Sequence, residues 1–361
     1  MNRLRLLSYL AFGTLVAGCG GGGSSVVTPV VPTVHSAVVP ASYTAYLLPN
    51  GSDGQPLSIV SVDDNGVVTG VGNSELREWT VSGGSTVVGA APAGYFQPNI
   101  ANGLGQAGGR YFVRNAGAPV THTPYAATYS GHTFTLFSDS LSSPVDGVIM
   151  RLGSLPLTRY GALQPYNMAH GNPTSGVVLP SLSGTSQPTG VTVASETGPI
   201  FGASWKTTGG GSVLPQAVKI DGSTYNPTLL PEFSGTQLQS NVLGAFADGS
   251  AVGYVITPSE VNFVFWPASG GVNAVGPSSA DTSSLPNLAG HVTSYTGFWA
   301  GYKQGSGSFI WSQKSGFKLL QSLVTTGGVT ISGATPVAVN NKGWVVVSLA
   351  SPARVYVLKP N

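Results

Sequence analysis

The apolar residues of this chain fall in runs of a few residues, rich in Val, Ile, Tyr, Phe and Trp, separated by Gly, Asn, Asp, Ser and Pro. Branched and aromatic runs of that length, bounded by turn formers, predict strands joined by tight turns. No window of a dozen residues carries the 3.6-residue apolar period of an amphipathic helix. The pattern predicts an all-β fold.

The runs also recur. Residues 60–72 read VSVDDNGVVTGVG and lead into Glu78-Trp79-Thr80-Val81; residues 244–254 read GAFADGSAVGY and lead into FVFWPASGG. Residues 294–302 (SYTGFWAGY) lead into SFIWSQKSG, and 338–348 (AVNNKGWVVVS) into RVYVLKPN. Residues 191–203 (VTVASETGPIFGA) fit as well. The unit is a small or polar turn, a glycine, a short strand, a gap, then an apolar strand with an aromatic residue and a second turn. Its turn glycine falls at Gly66, Gly198, Gly249, Gly297 and Gly343, with weaker copies at Gly105 and Gly147, in steps of 39 to 51 residues. That is the period of a four-stranded propeller blade. The chain is therefore expected to form a β-propeller, seven blades being the leading count, with six or eight blades or a sandwich as alternatives. The folded part opens with YTAYLLPNG and ends with RVYVLKPN, both second strands of a unit. Pairing of the N- and C-terminal strands would complete one blade and leave the ring without free edges.

The D/N-G-x-V-x-G unit followed by an aromatic strand resembles HAF-type repeats of secreted bacterial proteins. The resemblance implies propellers or propeller-like arrays; residues 145–180 depart from it.

The N-terminus follows a different logic. Arg3 and Arg5 precede a mostly apolar run, Leu6 to Val16, which is too short to cross a bilayer and has the length of a secretory signal core. Leu15-Val16-Ala17-Gly18-Cys19 follows and resembles the lipobox of bacterial lipoproteins. That resemblance implies cleavage between Gly18 and Cys19 and acylation of Cys19, the single cysteine. Gly20 to Ser25 (GGGGSS) supply a flexible tether, and the Val- and Pro-rich residues 26–41 an extended stem. The expected organisation is a signal peptide (1–18), a lipidated tether and stem (19–41), and a propeller domain (42–361). Gly20, rather than Asp, after the cysteine implies by analogy the outer membrane, facing periplasm or cell surface.

Composition narrows the function. The chain has 15 Lys and Arg against 13 Asp and Glu, and loss of Arg3 and Arg5 leaves the mature part formally neutral. Nothing suggests a nucleic-acid partner. Charged residues are 8% of the chain, against a usual quarter, as expected where both faces of each sheet are buried. Apolar residues at 41% and aromatics at 9% supply a large core and argue against disorder.

Candidate chemistry is sparse. Gly103-Leu104-Gly105-Gln106-Ala107-Gly108 matches G-x-G-x-x-G, but no helix follows it, so it reads as turn glycines. No G-x-S-x-G elbow occurs. His122 and His132 are spaced for neighbouring strands, yet solvent-facing or capping roles fit them better than a metal. Asp63, Asn65 and Gly66 lack the ligand spacing of a calcium loop. Near-neighbour carboxylates are Asp63-Asp64 and Glu75/Glu78, and neither marks a catalytic pair. Trp79, Trp205, Trp266, Trp299, Trp311 and Trp344 recur at comparable repeat positions, which favours packing over a sugar platform. The reading is a membrane-tethered binding protein for an unknown protein or glycan, with no catalytic residue, cofactor or metal assigned. An envelope assembly scaffold and a glycan-active propeller enzyme are the alternatives.

Overall fold

A computed structural model describes residues 34–72, 74–101, 105–137, 157–159, 167–170, 177–182, 189–194, 199–207, 211–221, 224–234, 236–280 and 290–361. The expected signal peptide (1–18) and the expected acylation position, Cys19, fall outside them. Strand β1 (Tyr43–Leu47) belongs to the last sheet. The next four strands, β2 (Ser58–Val62), β3 (Val68–Gly72), β4 (Glu75–Thr80) and β5 (Gly84–Ala90), form an antiparallel meander. The same order repeats in β6 (Gly94–Ala101), β7 (Ala107–Arg114), β8 (His122–Ser130) and β9 (Thr133–Phe137). A three-stranded sheet follows, β10 (Leu157–Arg159), β11 (Asn167–His170) and β12 (Val177–Val178).

Two further meanders are β13 (Gly190–Ala194), β14 (Ile200–Thr207), β15 (Val213–Ile220), β16 (Pro227–Leu229), and β17 (Gln239–Ala245), β18 (Ala251–Ile256), β19 (Val261–Trp266), β20 (Asn273–Ala274). The next is β21 (Val292–Thr293), β22 (Trp299–Lys303), β23 (Gly307–Ser312) and β24 (Gly316–Leu319). After a single helical turn, α1 (Leu320–Leu323), and the short β25 (Val324–Thr326), the chain closes with β26 (Thr335–Val339), β27 (Val345–Ala350) and β28 (Ala353–Pro360). In the last sheet the order is β25-β1-β28-β27-β26.

The first strands of different sheets touch one another: β2 meets β6 and β26, β17 meets β13 and β21, and β21 meets β6. They surround a common axis, and the later strands of each sheet lie outward. This is a β-propeller, and β1 closes it as the sequence predicts. It pairs antiparallel with β28, from Tyr43 opposite Pro360 to Leu47 opposite Tyr356. Tyr43 is fully buried, and its hydroxyl donates to the Gly343 carbonyl at 2.9 Å.

The repeated glycine makes one recurring turn between the first and second strands. In each of four sheets the residue three before the glycine donates its N–H one residue beyond it and accepts from the glycine: Asp63 with Val67, Phe246 with Ser250, Ser294 with Phe298, Asn340 with Trp344. The loop requires positive φ at its glycine, and Gly66, Gly249, Gly297 and Gly343 show +79°, +92°, +102° and +81°. Gly105 has +79° in the same place, whereas Gly147 and Gly198 lie outside the described residues. Turns of neighbouring sheets are stitched together. Asn341 donates through its backbone and side-chain nitrogens to Asp64, both at 2.9 Å, and Asn340 donates to the Asp63 carbonyl at 2.6 Å. Thr296 donates to Asn341 in turn.

Sheets pack face to face through apolar layers. One such layer joins Val60, Val71 and Leu76 to Phe96, Tyr111, Ala127 and Tyr129. Another joins Phe246, Tyr254, Phe263 and Phe265 to Trp299, Phe309 and Trp311. Both faces of the inner strands are covered, as the alternating sheets of a ring require.

The sequence places the start of the folded part near Ser42, after an extended stem; among the described residues the packed part already includes 34–40. Residues 34–40 lie as a strap across the recurring turns. Ala37 and Val39 are buried in the core of the last two sheets, and the Ala37 N–H donates to Thr296 at 3.1 Å. The His35 ring sits edge-on to Phe246 and Phe265, within hydrogen-bond reach of Ser250 (2.8 Å) and Asp248 (3.1 Å). Val and Pro keep the strap extended, and its alternate apolar side chains and its backbone donors find partners on the ring.

Two consequences can be measured. A Cβ at Gly66 would lie 2.5 Å from the Trp344 ring. Gly66→Ala is expected to cost about 2 kcal/mol or more in urea unfolding, from left-handed strain of about 1–2 kcal/mol plus displacement of the indole. Burial raises the phenols of Tyr43, Tyr111, Tyr129 and Tyr254 above the ordinary value of 10.0. Their folded pKa values exceed the unfolded ones, so stability is intact below about pH 10 and is lost as pH rises beyond it. Tyr43→Phe is expected to cost about 1 kcal/mol at neutral pH and to flatten part of the alkaline fall, read from unfolding midpoints across pH.

Candidate functional site

The first strands line the axis, and their geometry is shared. In β2, β6, β13, β17 and β26 the register against the second strand slips by one residue: between Ile59 and Ser61, Pro98 and Ile100, Val191 and Val193, Val242 and Gly244, Pro336 and Ala338. Each slip is a β-bulge, which bends the strand and increases its twist. Bulged residues Thr192, Leu243 and Val337 line the space on the axis.

That space is a cavity of about 640 Å³, within the range of small-molecule sites. Its wall comes mainly from the first halves of the inner strands: Leu57, Ser58 and Ile59 of the first meander, Tyr95 to Pro98 of the second, and Thr335 to Val337 of the last. Gly290, His291 and Val292 complete another side. The strap occupies the recurring turns, which follow the other ends of these strands.

Some polar groups in the wall are structural. The Ser58 hydroxyl donates to the Phe96 carbonyl at 2.7 Å and accepts from its N–H at 3.1 Å, joining two sheets. The Thr192 hydroxyl donates to Asn241 at 3.3 Å. Thr335 and Ser348, opposite each other in the β26–β27 ladder, present hydroxyls, while Gln97 and Arg110 form a facing pair on β6 and β7. Arg110 also stands over the Phe112 ring at 5.7 Å. Among the described residues no Asp or Glu lines the cavity.

His291 sits at the cavity edge, against Phe263, Trp299 and Phe309 at 5.5, 5.6 and 6.1 Å. It reaches this place because Gly301 has no side chain: a Cβ there would lie 2.3 Å from His291 Nδ1. Nothing in the sequence alone singles out His291; the available signal is the glycine facing it, which shows only once β21 and β22 are aligned.

The remaining sequence candidates fall elsewhere. His122 opens β8 and His132 lies in the turn after its far end, so the two do not converge; His122 meets Tyr95 edge-on, and His132 pairs with Glu78 at 2.8 Å. Asp63 Oδ1 accepts from the N–H groups of Asn65 and Val67, so this carboxylate braces its own turn. Trp79, Trp266, Trp299 and Trp311 are buried, and Trp205 and Trp344 half-buried, as packing residues. Within the G-x-G-x-x-G match, Gly105 is a turn residue and Ala107 begins a strand. Gly18 and Cys19 lie outside the described residues.

Gly301→Ala should push the His291 ring off its seat. An unfolding loss of about 1–3 kcal/mol, typical of an overpacked core, is the expected reading; an unchanged midpoint would show that the ring moves freely.

No protein-family model and no curated protein sequence matches the chain. Among solved structures, the extracellular domain of a hybrid two-component system from B. thetaiotaomicron is similar over 88% of this chain and 40% of its own length, with 9% identity and a TM-score of 0.50. The chain thus spans less than half of that domain. TolB from Acinetobacter baumannii matches over 88% of this chain and 64% of its own, at 13% identity and a TM-score of 0.39. The β-propeller domain of the Trilobed protease from Pyrococcus furiosus matches over 79% and 98%, at 10% identity and a TM-score of 0.42. Identities this low concern the fold alone.

Proposed function

We propose that this chain is a binding protein of the bacterial cell envelope, tethered through a lipid on Cys19, which takes a ligand into its central cavity. The observation that carries the reading is the cavity itself. Among the described residues six sheets contribute to its wall, which is mixed apolar and hydroxylic and is offset from the turns that the N-terminal strap covers. The strap leaves that wall free for a ligand. The tether rests on the lipobox resemblance of Leu15 to Cys19 and on the glycine-rich stretch after it. The described wall offers a ligand hydroxyls, an amide, an imidazole and a guanidinium.

The anchor is tested by Cys19→Ser. The expected result is loss of radiolabelled palmitate and a shift from the membrane to the soluble envelope fraction. Label and membrane association that survive the substitution would overturn the tether. Protease treatment of intact cells then separates the two facings: shaving of the domain places the cavity at the cell surface, and protection places it in the periplasm.

A further inference from the structure

On the second meander the two sides of the sheet carry different chemistry. Phe96 and Tyr111 point to one side and pack in the apolar layer shared with the first meander. Tyr95 and Gln97 of β6 point to the other side, opposite Phe112 and Arg110 of β7. Tyr95 and Phe112 are stacked, with ring centres 4.7 Å apart and planes 12° from parallel. The guanidinium carbon of Arg110 stands over the Phe112 ring, 5.7 Å from its centre. Tyr95, Gln97 and Arg110 all line the axial cavity. Arg110 is half-buried there, and Tyr95 keeps 37% of its surface exposed. A cation, an amide and an aromatic ring thus reach the cavity from one patch of one sheet.

The positive charge has no counterpart within its own sheet. Between Glu78 and Asp139 the chain contains no Asp or Glu, while Arg110 and Arg114 both fall in that interval. All four strands of the meander, β6 to β9, lie inside it. A cleft of one sign with walls of low dielectric focuses its field and concentrates ions of the opposite sign. The ring of Phe112 fixes the guanidinium without using its hydrogen-bonding fork, and five N–H donors exceed what a single neighbour takes up. Such a fork matches a carboxylate or phosphate with two parallel hydrogen bonds. The Gln97 amide, directly opposite in the ladder, adds a neutral donor beside it.

We propose that Arg110 and Gln97 form the oxyanion end of the cavity. Its ligand is a small ring-bearing acid whose carboxylate or phosphate pairs with the Arg110 fork while its ring lies along Tyr95. This rests on the reading of the cavity as a binding site. Thr335 and Ser348 offer hydroxyls to such a ligand from the last sheet.

The test uses the mature protein and its thermal unfolding midpoint, read against the concentration of galacturonate, benzoate, inorganic phosphate and, as a neutral control, galactose. At least one of the anions is expected to raise the midpoint at concentrations where galactose leaves it in place. A shift by galacturonate or benzoate identifies a carboxylate ligand, and a shift by phosphate alone a phosphorylated one. Arg110→Gln is expected to raise the concentration needed for half the shift by about tenfold or more, the loss of a charge-assisted hydrogen bond. Arg110→Lys is expected to recover part of it. Each variant is read against its own unliganded midpoint, so an arginine that only supports Phe112 changes stability and leaves the ligand's effect intact. Val337→Trp narrows the cavity from the last sheet and is expected to abolish the shift. If it does so while Arg110→Gln has no effect on binding, the cavity reading stands and the role of Arg110 falls. If Arg110→Gln weakens binding and Val337→Trp changes nothing, the cavity reading falls and Arg110 serves an oxyanion site outside it. Equal shifts by galactose and galacturonate, both lost in Val337→Trp, keep the cavity as a site for a neutral ligand and overturn the oxyanion end. If no anion shifts the wild-type midpoint, the proposal is overturned.

Discussion

The ladder between β1 and β28 is the constraint on which the rest of this molecule depends. Each sheet of the ring buries its faces only because a neighbour stands on either side, and the last sheet gains its place only if the chain's two ends meet. The meeting costs loop-closure entropy that grows only logarithmically with chain length, so joining residues about three hundred apart is not prohibitive. Five opposed residue pairs, the buried Tyr43 ring and its hydrogen bond to Gly343 offset it. The bonds of Asn340 and Asn341 to Asp63 and Asp64 repeat the same closure at the recurring turns, between the last meander and the first.

Closure also explains where polar chemistry can survive. With both faces of the inner strands covered, a polar side chain there must find a partner or face the axis. Ser58 and Thr192 take the first course and become bonds between sheets. Thr335 and Ser348 take the second and furnish the cavity wall. Of the charged groups, Glu75 with Arg77 on β4 and Lys206 with Glu232 form partly exposed pairs that contribute little to stability.

Legibility followed the same division. The second and third strands of each meander were visible in the sequence because they are apolar, regular and joined to a turn that demands glycine; Gly66, Gly249, Gly297 and Gly343 marked four of them. Ring closure was visible too, since YTAYLLPNG and RVYVLKPN each looked like half of a unit. The inner strands were harder to see. A bulge such as that between Val242 and Gly244 breaks the two-residue alternation on which strand reading relies. Short outer strands such as β16 and β20 leave almost no pattern. The cavity was illegible for the same reason, because its wall is contributed a few residues at a time by bulged strands far apart in the chain. The docking of the strap is not legible because Val and Pro describe an extended backbone equally well whether it is solvated or docked. Only the acceptors offered by Thr296, Ser315 and Ser250 distinguish the two.

The strap in turn explains why the recurring turns keep such similar geometry. Its residues touch three of them in succession: His35 at Asp248 and Ser250, Ala37 at Thr296, and Pro40 beside Gly343. A side chain at Gly297 would strike His35 at 2.9 Å, and one at Gly343 would stand 3.2 Å from Pro40. These glycines therefore answer two demands at once, positive φ within the turn and clearance for the segment crossing it. The double demand restricts what the turn-bearing face can become, because a loop enlarged there would lift the strap from the ring. The opposite ends of the inner strands carry no such segment among the described residues, and it is towards those ends that the cavity wall is built. In this fold the face that secures closure and the wall that can hold a ligand are separated along the axis, so the latter can vary without loosening the ring.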